Sequence, residues 1–226
     1  MKFAIVEIFK TLQGEGSRTG EPAIFVRFAG CNLWNGNKNS RLKGSGVCSM
    51  WCDTFFAKGT AYSTKDLVEE IKKNAAKKTS YEILPLVVLT GGEPMLQLKN
   101  PEGYKFVEEL LTGGFKVALE TNGTVNGPVI KLLNRFSNGH VTVSPKPLKG
   151  KLDDYEHVKV RTGEDLKVIY PTEFKLTDLR KWKFNHHYLQ PKDEGPDCDN
   201  VSSTISRATE DGWKVSIQTH KLLGLP

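Results

Sequence analysis

Leu86-Val87-Val88-Leu89-Thr90-Gly91-Gly92-Glu93-Pro94, followed by Gly103 to Leu111 and then by Phe115-Lys116-Val117-Ala118-Leu119-Glu120-Thr121-Asn122-Gly123, decides the fold of this chain. The first run is short and wholly apolar, which suits a buried strand. It ends in a polar, glycine-rich signature. Phe106, Val107, Leu110 and Leu111 then recur at helical spacing, and Gly113-Gly114 closes that helix. A second apolar strand follows and ends in Glu120-Thr121-Asn122-Gly123. Strand, polar end, helix and strand again is the grammar of a parallel α/β barrel or sheet, in which function gathers at the carboxyl ends of the strands.

The same grammar extends in both directions. Upstream, Pro22 to Ala29 reads as a strand that runs straight into Cys31. Downstream, His140-Val141-Thr142-Val143 ends in Ser144-Pro145-Lys146-Pro147, and His186 to Leu189 ends in Gln190-Pro191-Lys192-Asp193. Glu164 to Tyr170 and Trp213 to Gln218 supply further strands. Ser63 begins a helix with Asp66 three residues on, and Leu67, Val68, Ile71 and Ala75 share its apolar face. Pro128 to Arg135 and Val201 to Asp211 read as helices. The opening Phe3 to Ile8 alternation reads as a strand buried on both sides, ended by a polar loop from Phe9 to Gly16. Lys149 to Arg161 reads as a surface excursion. No internal repeat or linker divides the chain, so residues 1–226 are expected to form one domain.

With 38% hydrophobic and 26% charged residues, the composition is that of an ordinary soluble protein. No apolar run approaches bilayer length and the start lacks a signal-peptide core, so a cytoplasmic location without membrane association is expected. The formal charge of +6 favours anionic partners. The lysines are scattered singly or in pairs, so an anionic small molecule explains the charge as well as RNA does, and no direct nucleic-acid contact is expected.

Three of the four cysteines, Cys31, Cys48 and Cys52, lie within one loop. A cytosolic setting argues against disulfides and for metal or cluster binding. Cys48 and Cys52 could be half of a zinc site, but no second ligand pair sits nearby. Three thiolates directly after a strand suit an iron–sulfur cluster with one vacant iron. Cys198 reads as an incidental surface thiol. Arg27, a charge inside an apolar strand, reads either as a surface arginine on an edge strand or as one aimed at a buried carboxylate.

The three-cysteine loop, the Gly91-Gly92-Glu93-Pro94 strand end and the later polar strand ends resemble the radical S-adenosylmethionine (SAM) superfamily. Within it, Thr11 to Gly16, Val26 to Leu33, Cys52-Asp53-Thr54, Leu89 to Pro94, Glu120 to Thr124, Val143 to Lys146, Gln218 to Lys221 and Gly224-Leu225-Pro226 resemble the 7-carboxy-7-deazaguanine synthase family, in order and across essentially the whole chain. The resemblance implies a compact, modified, partial (β/α)6-type barrel. It implies a lyase that uses a [4Fe-4S] cluster, SAM and Mg²⁺. It implies that a SAM-derived radical takes hydrogen from C6 of 6-carboxy-5,6,7,8-tetrahydropterin, that the ring contracts, that ammonia leaves and that SAM is re-formed. It further implies an electron donor such as flavodoxin, a homodimer, and a place in queuosine or other 7-deazapurine biosynthesis.

Residue roles follow from the same resemblance. Cys31, Cys48 and Cys52 would hold the cluster. Thr54 would ligate Mg²⁺ through its hydroxyl, against the alternative of a local turn bond. Trp51, Cys52, Asp53, Gly92, Ser144, Pro145, Lys146, Gln190, Pro191, Lys192 and Asp193 would surround SAM. Glu120 would join them or cap its own turn. Leu12, Gln13, Gly14, Arg27 and Thr90 would meet the pterin. His220 and Pro226 would reach it from an apolar C-terminus (Leu222, Leu223, Leu225) expected to dock into the core. Sixteen residues separate Cys31 from Cys48 and three separate Cys48 from Cys52, the second gap being one longer than usual in the superfamily. The insert from Trp34 to Val47 must therefore loop out. Two other readings stand beside this one: a radical SAM activase of a glycyl-radical enzyme, and a zinc-stabilised basic RNA-binding protein.

Overall fold

The computed structural model describes residues 2–36, 47–48, 56–75, 84–193 and 199–226. Among these, nine strands form a single sheet: β1 (Phe3–Leu12), β2 (Pro22–Phe28), β3 (Thr60–Tyr62), β4 (Leu86–Gly91), β5 (Val117–Thr121), β6 (Gly139–Val143), β7 (Thr162–Tyr170), β8 (Lys183–Pro191) and β9 (Lys214–Val215). Their spatial order is β3-β1-β2-β4-β5-β6-β7-β8-β9. From β2 to β9 every pairing is parallel, whereas β1 runs antiparallel to both β2 and β3. The result is an α/β fold with a curved, open sheet: a partial barrel.

The strand alternation explains the two faces. Ile24, Val26 and Phe28 of β2, Val87 and Leu89 of β4, Val117 and Leu119 of β5 and Val141 and Val143 of β6 belong to the large core under the helices. That core is completed by α1 (Thr64–Ala75), the one-turn α2 (Met95–Leu98), α3 (Pro101–Thr112), α4 (Pro128–Arg135), α5 (Leu176–Leu179) and α6 (Asn200–Asp211). The intervening residues form a second, small cluster on the other face: Ala23, Leu86, Val88 and Ala118, with Phe25 against it. In phase with that cluster, and further along the same strands, stand Arg27, Thr90 and Glu120. The lumen is thus lined by small apolar groups at one end and polar groups at the other.

Most expected elements form, with differences that have physical causes. Ser63 does begin α1: its hydroxyl accepts from Asp66 N (3.2 Å) and donates to the Asp66 carboxylate (2.7 Å). Asn100, unread as a cap, accepts from Gly103 N at 2.9 Å at the start of α3, an arrangement worth about 1 kcal/mol. β1 does not stop at Phe9 but continues to Leu12, because Phe9 stacks on Phe25 across the ladder at 5.4 Å. Nor is β1 buried on both faces: Glu7 is exposed and Ala4 and Val6 are half-buried. Lys149 to Arg161 is not wholly a surface excursion, since Val158 and Val160 join the main core. The expected strand from Trp213 to Gln218 shortens to β9, and the C-terminus instead forms α7 (Thr219–Leu222). Leu222 and Leu223 stay exposed, at 76% and 58%, so the tail does not dock by burying them. No helix among the described residues is long and apolar enough to cross a membrane.

Candidate active site

The parallel strands deliver their carboxyl ends to one rim, and a cavity of about 650 Å³ opens there and runs into the lumen. Cys31 and Cys48 line it, as do Leu12, Gln13, Arg27, Thr90, Gly92, Glu120, Ser144, Lys146, Gln190, His220 and Pro226. Motifs spread from residue 12 to residue 226 therefore meet in one space. Gly14, Pro145, Pro191, Lys192 and Asp193 are not among the lining residues. Gly14 lies directly behind, its carbonyl accepting from Thr219 N at 3.0 Å, and Asp193 takes the Lys221 ammonium at 2.6 Å. Trp51, Cys52, Asp53 and Thr54 fall outside the described residues, as does Cys198.

The cysteine end is built on backbone. The Leu33 carbonyl accepts from both Val47 N (3.0 Å) and Cys48 N (3.1 Å), so the chain leaves and re-enters the insert at adjacent points. Cys48 also bridges Leu148, which ties the cysteine loop to the segment after Ser144-Pro145-Lys146. On the other side, Gly92 packs against Gly30 and Cys31. A Cβ on Gly92 would lie 2.1 Å from the Gly30 carbonyl oxygen and 3.0 Å from Cys31 Cβ, so only glycine permits this approach.

Glu93 fixes the next strand end. It is fully buried, and its carboxylate accepts from Thr121 Oγ1 (2.7 Å), Met95 N (3.0 Å) and Asn122 N (2.7 Å). Burial pushes its pKa up to about 7, against the opposing pull of those hydrogen bonds and of the Lys146 charge. The Glu-Pro of the motif is thus a clamp between β4 and β5, a role that the sequence pattern did not disclose.

Deeper in, Glu120 accepts from Gln13 Nε2 (3.1 Å) and Thr90 Oγ1 (2.9 Å), which turns it to the lumen and not to a turn of its own. Arg27 also faces the lumen. β2 lies between β1 and β4, so the edge-strand reading is excluded. The carboxylate beside Arg27 is that of Glu7, directly opposite on β1, at 2.6 Å from Nε, with the guanidinium 5.6 Å from the Phe9 ring. This carboxylate is half exposed, not buried. Sequence reasoning also missed Glu15 and Lys167, an ion pair on the cavity wall. Gln190 and Gln218 donate to the same Glu15 at 3.1 and 2.9 Å. Burial lowers the pKa of Lys167 to about 8, while the carboxylate at its side favours the charged form. A signal was present in the alternation of Asp165-Leu166-Lys167-Val168, which puts two charges on one face of a core strand.

At the tail, Thr11 Oγ1 donates to the Pro226 carbonyl at 3.3 Å, and Leu225 and Pro226 close one side of the cavity. Among the described residues no three metal-binding side chains of the His, Cys, Asp and Glu types converge. Two thiols do face one cavity.

No family model matches the chain. Curated relatives match along its whole length. The 7-carboxy-7-deazaguanine synthase of Burkholderia multivorans is 40% identical and that of Caulobacter vibrioides 37% identical, each covering 100% of both chains. Among solved structures, QueE from Escherichia coli superposes with a TM-score of 0.64 at 26% identity, covering 97% of this chain and 95% of that one. The chain therefore belongs to the 7-carboxy-7-deazaguanine synthase family.

Proposed function

We propose that residues 1–226 form one cytoplasmic radical SAM domain. It would contract 6-carboxy-5,6,7,8-tetrahydropterin to 7-carboxy-7-deazaguanine with loss of ammonia, for queuosine or related 7-deazapurine biosynthesis. One observation carries the reading: a single cavity is lined both by two cysteine thiols and by a carboxylate–amide–arginine group, Glu120, Gln13 and Arg27. A cluster and SAM together with a flat, polar heterocycle carrying a carboxylate need those two sets of groups in one space.

The residues fit the cluster. Cys31 and Cys48 are soft sulfur ligands on one cavity, and Cys52 would be the third. Thr54 would give Mg²⁺ a hard oxygen. When bound, the cluster and SAM supply an electron and an acceptor for a substrate hydrogen atom. Gly92 lets backbone approach SAM. Ser144, Pro145, Lys146, Gln190, Pro191, Lys192 and Asp193 would hold it, with Trp51, Asp53 and Glu120 alongside.

The remaining residues bind and orient the pterin. Arg27 would take its carboxylate, exchanging one acidic partner for another. Gln13 and Glu120 offer paired acceptors and donors of the kind that an aminopyrimidinone edge requires. Leu12, Gly14, Thr90 and His220 would complete the contacts. Leu225 and Pro226, with Phe9 and Phe25, wall the cavity with apolar surface, which strengthens the polar contacts inside by keeping water out. A flavodoxin-type donor and a homodimer complete the proposal.

The test is anaerobic reconstitution, then assay with the tetrahydropterin, SAM and Mg²⁺. Formation of 7-carboxy-7-deazaguanine with unconsumed SAM is expected. A fully reconstituted protein that cleaves SAM yet never contracts the ring would overturn the assignment.

A further inference from the structure

β7 sends two charged side chains into the lumen, Asp165 and Lys167, and none of the roles above uses Asp165. Both reach the loop between β1 and β2. In the sheet, β7 is separated from β2 by β4, β5 and β6, so this contact crosses the barrel and does not follow the ladder. Asp165 is 1% exposed. Its Oδ2 accepts from Ser17 N and from Ser17 Oγ, both at 2.9 Å, and lies 3.2 Å from His140 Nε2. Arg18 extends the cluster by donating from Nε to His140 Nδ1 at 3.4 Å. Gly16 has φ +67°, and a Cβ there would stand 2.7 Å from Asp165 Oδ2, so the loop backbone is pressed onto this carboxylate. Gly16 N also donates to Ser216 Oγ at 3.0 Å, while Glu15 is taken by Lys167, Gln190 and Gln218.

The other carboxylate oxygen, Asp165 Oδ1, is buried with no hydrogen-bond partner among the described residues. A buried carboxylate satisfied on one side only is costly. What it secures in return is local: the loop that carries Gln13 into the cavity, four residues before Ser17.

We infer that Asp165 is a positioning residue for the pterin: by holding Ser17 across the lumen it sets where Gln13 and Glu15 stand. The inference rests on the synthase reading. If the loss of this anchor leaves the competent loop position about one-tenth populated, the apparent dissociation constant rises about tenfold.

The experiment uses reconstituted holoenzyme: wild type, Asp165→Asn, Ser17→Ala and Ser17→Thr. Affinity for the oxidised analogue 6-carboxypterin is titrated by its own fluorescence, beside KM for the tetrahydropterin, iron per chain, SAM affinity and thermal midpoint. Asp165→Asn and Ser17→Ala should weaken pterin binding and raise KM by about tenfold, with iron content and SAM affinity held. Ser17→Thr, which keeps the hydroxyl, should stay near wild type. If Asp165→Asn does not fold, the Ser17 pair decides. Variants that melt earlier but bind pterin normally would overturn the inference and leave the synthase reading intact. So would a parallel loss of iron, SAM and pterin binding. A wild type that neither binds 6-carboxypterin nor turns over the tetrahydropterin would sink the synthase reading, and this inference with it.

Discussion

Replacing Gly92 by alanine should damage the site through the backbone, without removing any functional group. The added Cβ would stand 2.1 Å from the Gly30 carbonyl oxygen, 2.6 Å from its carbonyl carbon and 3.0 Å from Cys31 Cβ. Contacts under 3.0 Å are not tolerated, so the Gly30 carbonyl and the Gly92 backbone must part by 3.0 − 2.1 = 0.9 Å or more. Two consequences follow. The hydrogen bond from Glu93 N to that carbonyl, 2.8 Å long, is stretched or lost, at a cost of about 1 kcal/mol. And Cys31, the next residue, moves relative to the Gly92 backbone, which is proposed above to approach SAM. A misplacement of about 1 Å between reacting partners is worth about 100-fold in rate. The assay is single-turnover formation of 7-carboxy-7-deazaguanine by anaerobically reconstituted protein, with iron per chain and thermal midpoint measured on the same preparation. The midpoint should fall by about 2–4 °C, as about 1 kcal/mol implies for a chain of this size, and the rate by about 100-fold. A variant with full iron, wild-type SAM affinity and a rate within a factor of three of wild type would refute the claim that Gly92 is glycine for the sake of this close approach.

Three further outcomes are expected. Glu93 has a folded-state pKa of about 7 against an ordinary 4.5, because burial favours its protonated form. Its contribution to stability is therefore full below about pH 4.5 and is lost as pH rises through about 7, by about 3 kcal/mol in all. Glu93→Gln should flatten this slope in urea denaturation, and parallel pH profiles for the two proteins would contradict it. Arg27→Lys keeps the charge but loses the planar fork; KM for the tetrahydropterin should rise about tenfold, a loss of about 1.4 kcal/mol of binding, while SAM affinity is unchanged, and an unaltered KM would remove Arg27 from substrate recognition. Deleting Leu225 and Pro226 should raise KM while leaving the thermal midpoint near that of the full chain, since the adjoining Leu222 and Leu223 are already exposed. A large drop in midpoint with KM intact would mean that the tail serves stability.

The order of strands and helices was legible because burial writes period two and period 3.6 into the chain. Which face of each strand turned inward was not. Leu86-Val87-Val88-Leu89 is apolar on both faces, and only the structure separates Val87 and Leu89, under the helices, from Leu86 and Val88, in the lumen. Once that phase is known, Arg27 ceases to be an oddity: it continues Ala23 and Phe25, as Thr90 continues Val88 and Glu120 continues Ala118. The strand-end motifs were legible because each is local. Glu15 with Lys167, and Ser17 with Asp165, were not: the Asp165-Lys167 alternation marks two charges on one strand face, but each pair spans about 150 residues, so nothing local names the partner. The C-terminal helix α7 was hidden for a similar reason. Its polar Thr219-His220-Lys221 is fixed by Gly14 and Asp193, not by an apolar face of its own.

These illegible contacts share one geometry. A sheet that closed on itself would hold its rim by strand pairing. Here β3 and β9 are the two edges of an open sheet. The sides of the lumen are instead joined by hydrogen bonds that link backbone N–H groups and side chains of the β1–β2 loop to side chains of β7, β8 and the strand-end segment at Ser216. Opening one edge leaves room for a polar ligand of pterin size. It also makes the shape of that room depend on buried polar contacts, which lose more when one partner is removed than they contribute when whole. The wall residues of this cavity should therefore be far less tolerant of isosteric amide-for-carboxylate changes than the helix-facing core is of one apolar residue for another.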